Sequence, residues 1–231
     1  MPTPLAEFNG KLVDGLRFCS KVYSLFESIR KSEGGVTRLR MRPRVEKKLL
    51  EELFPICKYV QASYRLGRYI SIRWVDGNQS YDAEIVQRGA YVSENYYTAR
   101  GHLEVVCVMH PNEYLSRELI EKKGVAFGLE GIRRLKKGEI ESVPVIHKGM
   151  EFVESYSKLV LKQITKKATI SYPENTTLIV QCSLNTMYTP DEWDTLVARV
   201  LDALPENSFR EIYLYDPVLQ YSHSFHPKQP R

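Results

Sequence analysis

The chain is 231 residues long, with 43% hydrophobic and 26% charged residues and a formal net charge of +5. A chain of this length can bury about 70% of its unfolded surface, enough for one substantial core. Its composition excludes disordered and fibrous classes, and no run of about 18 apolar residues offers a membrane-spanning helix.

The first residues, MPTPLAEFNGK, lack a basic start followed by an apolar block, so no secretory signal peptide is expected. Cys19, Cys57, Cys107 and Cys182 lie far apart in apolar surroundings. They read as reduced core residues of a cytoplasmic protein. Basic residues are clustered. Arg30, Lys31, Arg38, Arg40, Arg42, Arg44, Lys47 and Lys48 form one group, Arg133, Arg134, Lys136 and Lys137 a second, and Lys162, Lys166 and Lys167 a third. Such clusters suit a phosphate backbone, although a solvated face is the commoner origin of any single one.

In chain order, residues 5–33 carry an apolar stripe through Leu12, Leu16, Cys19, Phe26 and Ile29, which predicts a helix ended by Gly34-Gly35. Residues 1–35 are therefore expected as an N-terminal helical appendage, packed on the core or used to dock a second copy or a larger complex. Residues 36–43, VTRLRMRP, alternate and predict a strand whose arginines, Arg38, Arg40 and Arg42, share one face. Phosphates or carboxylates must face that row. Residues 44–62 predict a helix on Val45, Leu49, Leu53, Cys57 and Val60, kinked near Phe54 by Pro55.

Three strands follow: Tyr69–Val75, Tyr81–Val86 and His102–Met109, the first two joined at Asp76-Gly77-Asn78. Helices are expected from Asn112 to Gly124, over 149–167, and from Pro190 to Leu204 with Thr189 as cap. TLIVQC at 177–182 reads as a strand buried on both faces, and 209–215 as a last strand. The predicted class is α/β, a mixed sheet with helices on both faces. The core is expected over 36–216, with a loose polar tail at 217–231.

Asp82 and Glu104 fall on neighbouring strands. Glu104 lies within LEVVCVM, where a lone buried carboxylate is costly. Asp82 has a plainer reading as a strand-end residue pairing with Arg68 or Arg73. Two carboxylates held together stay ionised only with a cation between them, and Mg²⁺ or Mn²⁺ suits such oxygen donors. His102, Cys107 and His110 do not form a metal trio, because residue 107 faces away from the other two on a strand. No phosphate-loop, dinucleotide, nucleophile-elbow or zincin motif occurs.

A helix carrying Glu46, then strands carrying Asp82 and Glu104, then helix and strand, resembles the PD-(D/E)xK nuclease superfamily over roughly residues 44–183. The resemblance implies a restriction-endonuclease-like fold and a Mg²⁺-dependent nuclease acting on DNA. Asp82 and Glu104 would hold the metal and Glu46 would assist. The lysine of that motif is replaced by Val106. In some relatives a nearby helix supplies the amine, which here implies Lys162, with Arg117 and Lys123 as other candidates. The resemblance further implies phosphate contacts from Arg38, Arg40, Arg42 and Arg44 and from Arg133, Arg134, Lys136 and Lys137. Its alternative is a catalytically inactive nuclease fold that binds nucleic acid or a protein partner.

Overall fold

The computed structural model describes residues 4–147, 150–182, 189–217 and 221–227. Its centre is a seven-stranded sheet, whose strands lie side by side in the order 13–14, 69–74, 83–88, 100–108, 176–182, 211–215 and 222–225. In chain order the elements begin with β1 (Val13–Asp14), α1 (Gly15–Lys31), α2 (Gly35–Met41), α3 (Arg44–Lys48) and α4 (Phe54–Ser63). Next come β2 (Tyr69–Trp74), β3 (Ala83–Arg88), α5 (Ala90–Ser93), β4 (Arg100–Val108) and α6 (Glu113–Lys123). After the small hairpin β5 (Ile132–Arg134) and β6 (Ile140–Ser142) come α7 (Glu151–Ala168), β7 (Thr176–Cys182), α8 (Pro190–Asp202), β8 (Glu211–Tyr215) and β9 (Ser222–Phe225). β1 to β4 form an antiparallel meander. β4, β7 and β8 run parallel, and β9 returns antiparallel. The mixed α/β class follows.

Each sheet face has its own core, because alternate residues of a strand point to opposite sides. Ile70, Ile72, Leu103 and Val105 pack with Phe18, Val22, Leu49, Leu53 and Val60 of the N-terminal helices. Val106, Val108, Leu178 and Val180 pack with Val160 and Ile164 of α7 and Leu196 and Val200 of α8. The crossover from β4 to β7 carries α6 and the hairpin, which share a small core of Leu119, Leu129, Ile132 and Ile140.

Residues 4–35 are part of the main body. Leu5, Phe8, Phe18, Cys19, Val22 and Ile29 are buried in its principal core, and β1 pairs with β2. Asp14 caps α1 by accepting from the backbone N–H of Leu16 and Arg17. The helix then passes so close to β2 that a Cβ on Gly15 would stand 2.8 Å from Val60 Cγ1 and 2.9 Å from Ile70 O.

Two expectations are corrected. Residues 36–43 form α2 and not a strand. Thr37 and Arg40, three apart and so on one helix face, both reach Glu121. Arg38 pairs with Glu46, and Arg42 with Glu51 at 3.1 Å. The arginine row is neutralised by carboxylates of the fold itself. The tail, expected to be loose, supplies β9, whose Ser222–Phe225 pair with β8.

Pro55 does not break its helix. A π turn, Leu49–Leu53, leads into it, with the N–H of Phe54 donating to Leu49 O. The wider turn accommodates a residue that lacks an N–H and would clash in a regular α-helix.

Candidate functional site

The meander is uneven, and the site forms where it ends. β4 runs to Val108, but β3 starts at Ala83, opposite Leu103. Residues 104–108 therefore have β7 on one side and, among the described residues, no strand on the other. Just beyond Ala83↔Leu103, where the ladder ends, Asp82 lines the same cleft as Glu104 and feels its charge.

The gap holds Asp82 in place. Its backbone N–H donates to Leu103 O, and its Oδ2 accepts from the backbone N–H of Val105 at 2.8 Å. The carboxylate thus takes a ladder position that no strand fills. Burial and the Glu104 charge push its pKa up to about 7. Glu104 is buried at 6% exposure, and burial raises its pKa too. Lys167 opposes that rise by donating to Glu104 Oε1. The Tyr172 ring lies behind, and its phenol is raised by its own burial and by the charges of Glu104 and Asp82.

A third acid enters from the other helical layer. Glu52, in the π turn, accepts from Trp74 Nε1 at 3.1 Å. Burial and the Asp82 charge push its pKa up to about 7. The three acids open onto a cleft of about 590 Å³. Its walls are Arg44, Lys47, Lys48 and Glu51 on one side and Gln163, Lys166 and Lys167 of α7 on the other, with Val105, Val106 and Cys107 as floor.

Of the residues singled out by sequence, Asp82, Glu104 and Arg44 meet at this cleft. Glu46 does not line it. It is buried, 1% exposed, and paired with Arg38. Lys162 is exposed and does not line it either. Gln163, Lys166 and Lys167, spaced three and four apart, share the face of α7 that does, so the amine at Glu104 belongs to Lys167. Arg133 pairs with Glu141 and Arg134 with Glu118, both at 2.6 Å, on the separate hairpin lobe. Lys136 and Lys137 are exposed there, and Lys137 borders another cleft with Lys122 and Lys123. Arg117 pairs with Glu113, and Lys123 is remote from the acids. The His102 ring packs at a tilt against Tyr81, centroids 4.6 Å apart, and Cys107 packs toward Glu51 O.

Glu52 was missed, yet a signal for it existed. Residues 44, 47, 48, 51 and 52 form one helical stripe, polar throughout, opposite the buried Leu49, Leu53 and Val60. Glu46 lies on the apolar side of that helix, three residues before Leu49.

Comparison with protein-family models, with curated proteins and with solved structures gave no match. The site is therefore interpreted from its own chemistry. Among the described residues no three His, Cys, Asp or Glu side chains stand ready to enclose a metal ion. Two neighbouring carboxylates at an open cleft still fit Mg²⁺, which is commonly held by one or two carboxylates with water and substrate oxygens completing its shell. Among the described residues no helix is long and apolar enough to cross a membrane.

Proposed function

We propose that this cleft hydrolyses phosphodiester bonds of DNA in a divalent-metal-dependent reaction. The observation that carries the proposal is Asp82 and Glu104 side by side at one cleft, with the Lys167 amine on Glu104. Neighbouring acids with raised pKa values are an unsatisfied arrangement that a cation would relieve. Asp82 and Glu104 would hold Mg²⁺ or Mn²⁺, which lowers the pKa of bound water and offsets charge developing on phosphorus.

The chain's own residues supply the rest. Lys167 replaces the amine that Val106 cannot offer, reaching Glu104 from α7. Set there, it can hydrogen-bond the attacking water or a phosphoryl oxygen. Glu52, with a pKa near 7, is matched to accept a proton at neutral pH. The water oxygen bonds to phosphorus, one ester P–O bond breaks, and the departing oxygen takes up a proton. Val105 and Val106 keep the floor apolar, which strengthens these polar interactions.

The test is cleavage of plasmid and single-stranded DNA with Mg²⁺ or Mn²⁺. Asp82→Asn, Glu104→Gln and Lys167→Met should each lower the rate about 100- to 1000-fold, the usual cost of removing one such polar group. Cleavage that survives Asp82→Asn and Glu104→Gln unchanged overturns the assignment. Metal-independent DNA binding by a chain with no cleavage would favour the non-catalytic alternative.

A further inference from the structure

Ion pairing separates the basic residues into two groups. In the segment from Arg30 to Lys48, six cations meet carboxylates: Arg30 and Lys31 with Glu27, Arg38 with Glu46, Arg40 with Glu121, Arg42 with Glu51, and Lys48 with Asp76. Arg44 and Lys47 have no carboxylate within ion-pair distance among the described residues, and both border the acidic cleft. Lys166, on the opposite wall, is likewise without a carboxylate partner. All three are exposed. Three cations at the rim are thus left for an anion that the described residues do not supply.

Their placement constrains that anion. Arg44 and Lys47 stand on α3, which leads into the π turn whose Leu49 and Leu53 pack on one sheet face. Lys166 stands on α7, whose Val160 and Ile164 pack on the other. The cations therefore approach the acids from opposite walls, with Asp82 and Glu104 between them. A lone phosphate at the acids would leave at least one wall unmatched, whereas a strand crossing the cleft brings a phosphate to each.

Resting on the proposed phosphodiester chemistry, we infer that Arg44, Lys47 and Lys166 bind phosphates on both sides of the reacting one, so that the bond cut lies inside a strand rather than at its end. Arg133 and Arg134, committed to Glu141 and Glu118, take no part.

Binding of the full chain to a labelled single-stranded oligonucleotide in EDTA, measured by anisotropy over a range of salt concentrations, tests the contacts apart from catalysis. Each lost phosphate contact on a single strand flattens the log K against log salt slope by about 0.7. The triple variant Arg44→Ala/Lys47→Ala/Lys166→Ala should therefore lose roughly 2 units of slope while keeping the wild-type melting temperature. Arg133→Ala/Arg134→Ala should keep the full slope. A triple variant with wild-type slope and affinity, or slope lost equally in the hairpin variant, overturns the inference. Covalently closed single-stranded circles with Mn²⁺ test the second half. Opening of the circle supports an internal cut, and circles that stay closed while linear strands shorten overturn it. If Asp82→Asn abolishes cleavage but the triple variant binds normally, the rim inference fails alone. If Asp82→Asn still cleaves, the site assignment fails whatever the rim does.

Discussion

Glu104 and Glu211 sit on strands of one sheet, both nearly inaccessible at 6% and 9% exposure, yet their surroundings are opposite in kind. Glu211 accepts from Tyr59 at 2.7 Å, from Thr177 at 3.5 Å and from Ser224. Arg68 reaches the same Tyr59 oxygen at 3.3 Å, bonds Gln87 at 2.8 Å, and lies 3.6 Å from the Tyr97 ring centroid. Among the described residues, each of these hydrogen-bond partners of Glu211 is a hydroxyl donor, and a cation stands behind Tyr59. Glu104 shares its cleft with Asp82 and Glu52, with the Lys167 amine and the Tyr172 hydroxyl as relief and open space in front. A buried acid among donors is structural. A buried acid among acids, beside a cavity, is poised for a ligand.

That contrast can be broken or sharpened by stability measurements on the metal-free protein. The largest effect is expected at Asp82. Its pKa and that of Glu52 are raised to about 7, so between the ordinary carboxylate range and pH 7 the folded chain holds protons that the unfolded chain has released. The contribution of these groups therefore destabilises most above pH 7 and fades as pH falls toward 4, the reverse of a salt-bridged carboxylate. Asp82→Asn, which keeps an oxygen for the Val105 N–H, should raise unfolding stability at pH 8 by on the order of 2 kcal/mol. The gain should shrink with acid. Chemical denaturation at pH 8 and pH 5 in EDTA measures both, and a destabilised variant at pH 8 would place Asp82 with Glu211.

Glu211 should respond in the other direction. Tyr59→Phe removes one of the hydroxyl donors to the Glu211 carboxylate and leaves buried acceptors wanting, at a cost of about 1–3 kcal/mol. DNA cleavage measured below the melting temperature should be unchanged. The smallest effect belongs to Arg133→Ala. Arg133 is exposed and its partner Glu141 half-buried on the hairpin, and surface pairs of this kind contribute less than about 1 kcal/mol. Equal melting curves for this variant and wild type would confirm that hairpin charge is incidental to folding.

Much of the architecture was legible in period and punctuation. Alternation over Ile70, Ile72 and Trp74 marked a half-buried strand, and Thr189-Pro190 with Glu192 marked a helix start that the structure closes as a capping box. Asp82 and Glu104 stood out because apolar neighbours made their charge costly. Alternation misled at 36–43, where a seven-residue helix of paired arginines imitates a strand over too short a span to show its period. β9 was hidden because Ser222–Phe225 has little apolar character and pairs on only one side. Lys167 belonged to a recognised cluster, but choosing it over Lys162 required the angular position of Ile164 against the core. No local pattern encodes that.

The bare side of β4 beyond Leu103 has a second consequence, for self-association. An unpaired strand edge invites another chain to add on, and natural sheets guard such edges with charge or cover. Here the π turn supplies cover, and Asp82 both occupies the vacant Val105 N–H and carries a charge at the point where an intruding strand would begin. The acids at the cleft thus double as gatekeepers. A variant that neutralises them forfeits a protection against aggregation along with its chemistry.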